Sequence, residues 1–62
     1  MNDKLANKLY QLVIDTNGDP SLSAIKELGY NESQAIEMVI RMANADRTKL
    51  VEIAKEKLGK ES

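Results

Sequence analysis

The first residues that could do chemistry are Asp15-Thr16-Asn17-Gly18-Asp19, where oxygen-bearing side chains stand at alternate positions. They match the opening half of a calcium-binding loop, whose ligands at positions 1, 3 and 5 converge on one ion. The second half of that pattern fails. The sixth position, where the sharp turn needs glycine, is Pro20, and the twelfth, where a bidentate carboxylate is needed, is Lys26, with Glu27 one place late. The stretch reads instead as a helix stop followed by a helix cap. Asn31-Glu32-Ser33 matches a glycosylation acceptor, but that reading needs secretion, and capping already accounts for Asn31. Paired carboxylates do general acid/base work only in a dry cleft that pushes their pKa values apart, and a chain of 62 residues has little room for one. Glu52 and Glu56 have lysines about one turn away and read as a solvated helix face with weak ion pairs. With no Cys and no His there is no disulfide, thiolate nucleophile, zinc ligand set or imidazole base. Neither an enzyme nor a metal or cofactor is expected.

Leu28-Gly29-Tyr30 is a different kind of candidate, because a leucine, a tight turn and an aromatic occur together between two short helical patterns. Such a loop can present apolar side chains to another protein. It can equally be structural, with Gly29 a helix C-cap and Tyr30 a staple packed inward ahead of an N-cap at Asn31. Met38 and Met42 stand one turn apart at the edge of an apolar stripe, where flexible thioethers suit either an adaptable binding surface or gap-filling in a small core.

Four helices must position these residues. Leu5, Leu9, Leu12 and Val13 recur at helical spacing, with Ala6 alongside, and predict an amphipathic helix over 3–16, capped by Asn2 or Asp3 and ended by Asn17-Gly18 in the left-handed conformation. Asp19 as cap and Pro20 at the first helical position predict the start of a second helix, lined by Leu22, Ile25 and Leu28 and stopped by Gly29. Asn31 and Gln34 form a variant capping box, so a third helix begins near Glu32. Its expected buried stripe is Ala35, Ile36, Val39, Ile40 and Ala43, leaving Glu32, Glu37, Arg41 and Asn44 toward water. Asp46 caps a fourth helix carrying Leu50, Val51, Ala54 and Leu58, expected to end before Gly59. No run alternates with period two, so no sheet is expected. The expected fold is all-α, a small orthogonal bundle of four short helices forming a single domain over 1–62.

Composition narrows the functional classes. With 42% hydrophobic and 31% charged residues the chain is globular in class, and its formal charge of -1 supplies no global field for nucleic acid or an anionic membrane. Apolar runs reach only three residues, as in Leu12-Val13-Ile14, far short of the roughly 20 that span a bilayer, and the N-terminus lacks a signal-peptide pattern. A soluble, cytoplasmic protein is expected. The residues around the 28–30 turn can also be laid on a helix-turn-helix, with Asn31, Ser33, Gln34 and Arg41 facing DNA. Glu32 and Glu37 on the same helix oppose phosphate contact, so nucleic acid is the lesser expectation. A helical scaffold with no readable function is a further alternative.

The stretch from Leu22 to Ala35, with its Leu28-Gly29-Tyr30 turn and an alanine five residues after Tyr30, resembles the ubiquitin-associated (UBA-like) three-helix fold. Within that fold it is most similar to the C-terminal domain III of the Holliday-junction branch-migration subunit RuvA. The resemblance covers about residues 19–58 and leaves the first helix outside it. It implies a three-helix core that binds another protein, either a ubiquitin-like partner through the turn and the last helix or a motor ATPase. On this chain the implied partner-binding residues are Leu28, Gly29, Tyr30 and Leu58, to which the position of Met38 adds an apolar neighbour. The last helix departs from the pattern, with Leu50 where a small residue usually packs and Ala54 where a leucine usually stands.

Overall fold

The computed structural model describes residues 3–61, all in helices and the turns between them. The order is α1 (Asp3–Asp15), α2 (Leu22–Leu28), α3 (Glu32–Ala43) and α4 (Arg47–Glu61), a small all-α bundle with no strand among the described residues. The first helix ends one residue short of expectation, and the cap expected of Asn2 lies outside the described residues.

The α1 stripe is as the spacing predicts: Val13 is buried, and Leu5, Ala6, Leu9 and Leu12 are half-buried. Its end is set by backbone geometry. Asn17 has φ 56° and Gly18 φ 81°, and the Gly18 N–H donates to the Val13 carbonyl at 2.7 Å, closing the left-handed terminus. The Thr16 hydroxyl donates to the Leu12 carbonyl at 2.7 Å, a second bond to an oxygen that already accepts from the Thr16 N–H at 2.9 Å.

The next helix starts later than the Asp19-Pro20 pair suggests. Its N-cap is Ser21, with φ -80° and ψ 159°, whose Oγ accepts from the Ala24 N–H at 3.1 Å. Pro20 is buried in the loop instead, and a proline disfavours the helical conformation for the residue before it. Freed from capping, the Asp19 carboxylate lies 3.6 Å from the Arg47 guanidinium at the start of α4. Gly29 ends α2 as expected, with φ 126° and its N–H donating to the Lys26 carbonyl at 3.0 Å. Both halves of the capping box form. Gln34 N–H donates to Asn31 Oδ1 at 2.8 Å and Asn31 N–H donates to Gln34 Oε1 at 3.2 Å. Asp46 caps α4, its Oδ1 accepting from the Thr48 and Lys49 N–H groups at 3.0 and 3.3 Å. Gly59 does not stop that helix. Without a positive φ it is one more helical residue, a cost of about 1 kcal/mol rather than a terminus.

Packing is dominated by α1 on α4. The α2 helix bridges α1 and α3, and α3 touches α2 and α4 but makes no packing contact with α1. The Cα envelope is 30 × 27 × 16 Å, a slab about two helices thick at the usual 8–10 Å spacing. In such a slab every helix keeps one side in solvent. The fully buried apolar side chains are accordingly few: Val13, Ile25, Ala35 and Ala54, one on each helix. Among the described residues Ile25 is the only large one completely enclosed, and the two alanines leave room for their helices to approach closely.

Candidate interaction surface

The expected buried stripe of α3 is rotated in the structure. Ala35 is buried and Val39 half-buried, but Ile36 is 41% and Ile40 56% exposed, and Ala43 is exposed too. The opposite flank, Met38 and Met42, is half-buried in their place. Seven of the twelve α3 residues are apolar, which is more than one core-facing stripe accommodates. With α2 and α4 on one side and α1 out of reach, the helix turns Ala35 to the closest contact, and its two isoleucines are left bare.

Two surface depressions result. One, about 480 Å³ and shallow, lies along the outer face of α3 and is lined by Ser33, Ile36, Glu37, Ile40 and Arg41. Its polar edge is a pair one turn apart, with the Arg41 guanidinium 3.0 Å from the Glu37 carboxylate and both side chains well exposed. The other, about 300 Å³, lies where α3 passes into α4 and is lined by Met38, Arg41, Met42, Ala45 and Leu50, apolar apart from the guanidinium.

The residues singled out from the sequence fall in separate places. Leu28 and Tyr30 are half-buried and Gly29 is exposed, in the turn between α2 and α3. That turn lies against α1: a Cβ at Gly29 would stand 3.7 Å from Leu5 Cδ1. Burial raises the Tyr30 phenol above the usual tyrosine pKa, and the neighbouring Tyr10 of α1 adds to the rise. Met38 belongs to the α3–α4 cleft, and Leu58 is half-buried toward the far end of α4 and lines neither depression. The structure therefore joins Leu28, Gly29 and Tyr30 but places Met38 in a different depression.

The carboxylates of the calcium-like stretch have protein partners. Asp15 accepts from the Gln11 amide at 3.0 Å, and Asp19 pairs with Arg47. Among the described residues no group of three acids is placed to hold a metal ion, and no helix is long and apolar enough to cross a membrane.

No family model, curated protein or solved structure matches the chain. The surface itself therefore carries the functional argument. Ile36 and Ile40 fit the helical period of the stripe expected to face the core. The signal that could have exposed them is the surplus of apolar residues around α3, which requires some to face outward.

Proposed function

We propose that this chain is a small, non-catalytic, cytoplasmic protein-interaction module that binds through the outer flank of α3. The observation that carries the reading is the exposure of Ile36 and Ile40 side by side on a helix whose other face is already packed. Their uncovered area is on the order of 200 Å², so covering it contributes about 5 kcal/mol before the costs of association are subtracted. The Glu37–Arg41 pair beside them supplies the polar rim that such patches usually have. The helix-turn-helix alternative is less well supported, since this face offers one arginine already paired to a glutamate.

The UBA-like resemblance adds a second surface, the Leu28-Gly29-Tyr30 turn with Leu58, through which a ubiquitin-like protein or an ATPase would bind. Leu5 and Tyr10 limit approach to that turn from the α1 side. Affinity capture from an extract of the source cell, with nuclease present, tests both. A protein held by the wild type and lost with Ile36→Ser/Ile40→Ser supports the α3 surface, whereas loss with Tyr30→Ala alone moves the site to the turn. Retention unaffected by either variant overturns both surfaces, and retention of no protein, or retention abolished by nuclease, overturns the interaction-module reading.

A further inference from the structure

We infer that the occupant of the α3 face is a second copy of this chain, packed antiparallel about a twofold axis; this rests on the reading of that face as an interaction surface. In a twofold contact each residue meets its counterpart reciprocally, so the patch must complement itself. The α3 face does so in one direction only. With the helices antiparallel and Ile36 beside the partner's Ile40, the same register sets Ser33 beside the partner's Ala43. Large side chains then meet at the centre and small ones lie at the ends, where the backbones can approach. In that register Glu37 comes within reach of the partner's Arg41, and Arg41 within reach of the partner's Glu37. Both side chains are exposed and pair with each other along the helix at 3.0 Å, so they can join a four-membered network without leaving a buried site. A parallel twofold arrangement would send the Glu37–Arg41 flanks of the two copies to opposite sides of the contact, without the cross-pairing, and would align the helix dipoles unfavourably.

The area sets the strength. One face of a helix about 18 Å long buries on the order of 400 Å² per copy, roughly 800 Å² in total, below the approximately 1,200 Å² where stable interfaces begin. The dimer is therefore a weak one, formed only at high protein concentration.

Sedimentation equilibrium of the full chain up to about 1 mM tests this, with circular dichroism confirming that each variant is folded. The wild type should associate reversibly, and Ile40→Ser should remain monomeric. Glu37→Arg and Arg41→Glu should each weaken association at least about fivefold, because each creates like charges across the axis. An equimolar mixture of those two variants should associate about as well as the wild type, since one copy then offers two arginines and the other two glutamates. A change in single-chain stability cannot produce that rescue. A wild type that stays monomeric throughout, or a mixture no tighter than its components, overturns the second-copy inference. Capture of a different protein through Ile36 and Ile40 would then leave the α3 surface standing. Dimerisation unchanged by Ile40→Ser overturns the inference as well, and the α3 surface is then decided by capture through Ile36 and Ile40 alone.

Discussion

Gly18→Ala should destabilise this protein more than any other glycine-to-alanine change in it, and the structure gives the reasons separately. Gly18 has φ 81°, a conformation that costs an L-residue about 1–2 kcal/mol. It is also buried against the first turn of α4, where a Cβ would stand 2.9 Å from the Arg47 carbonyl oxygen and 3.0 Å from Arg47 Cβ. The nearest obstacle is backbone, so relief requires α4 to shift and strains the 3.6 Å Asp19–Arg47 pair, at a typical overpacking cost of about 1–3 kcal/mol. Restricting the unfolded chain returns about 0.4–1 kcal/mol. The net loss is about 1.5–4 kcal/mol, against a total of about 3–9 kcal/mol for a chain of 62 residues. Urea unfolding followed by helical circular dichroism reads it directly. At an m-value of about 1 kcal/mol per M the midpoint should fall by roughly 1.5 M or more. Gly18→Asn keeps the collision but tolerates the left-handed backbone better, so it should recover part of the loss. Gly59→Ala is the control: nothing lies within 4 Å of the added carbon, and the helix should gain up to about 1 kcal/mol. A Gly18→Ala protein within about 0.5 kcal/mol of the wild type would refute the assignment of this turn as the joint between α1 and α4.

Asn31→Ala removes the acceptor for the Gln34 N–H and should cost about 1 kcal/mol in urea unfolding, while Asn31→Asp should retain most of the cap. Ile25→Ala opens a cavity at the large side chain that is completely enclosed among the described residues and should cost about 2–4 kcal/mol by the same assay, a large part of the total stability. The raised pKa of Tyr30 means the folded state holds its phenolic proton more tightly than the unfolded chain. Its contribution is therefore neutral at low pH, and stability falls as pH rises past about 10. Ultraviolet titration of the phenolate should show the delayed ionisation and should show it moving down in Tyr10→Phe, because Tyr10 contributes to the shift.

Short-range chemistry was legible without coordinates. The Asn17-Gly18 terminus, the Gly29 stop, the Asn31–Gln34 box and the Asp46 cap each depend on atoms within a few residues of one another, and each forms where its residues stand. The helical period likewise identified Val13, Ile25, Ala35 and Ala54 as inward positions. Where a local rule met a tertiary demand, the rule gave way. Asp19 would make an acceptable cap, yet Pro20 is buried in the loop and the Asp19 carboxylate faces Arg47, 28 residues along the chain, so Ser21 takes the cap.

The candidate surface was the least legible feature for the same reason. Periodicity tells which α3 residues share a face, but which face is covered depends on how many helices reach it. That number is set by α1 choosing α4 and α2 as neighbours, a contact between residues distant in sequence. Thus the sequence alone determined four helices, most of the turns that bound them and which residues share a face. Only the tertiary structure decided that Ile36 and Ile40 would face water while Leu5 and Tyr10 came to lie beside the Leu28-Gly29-Tyr30 turn. A slab two helices thick cannot enclose every apolar face, and which of them stays open is settled by packing rather than by pattern.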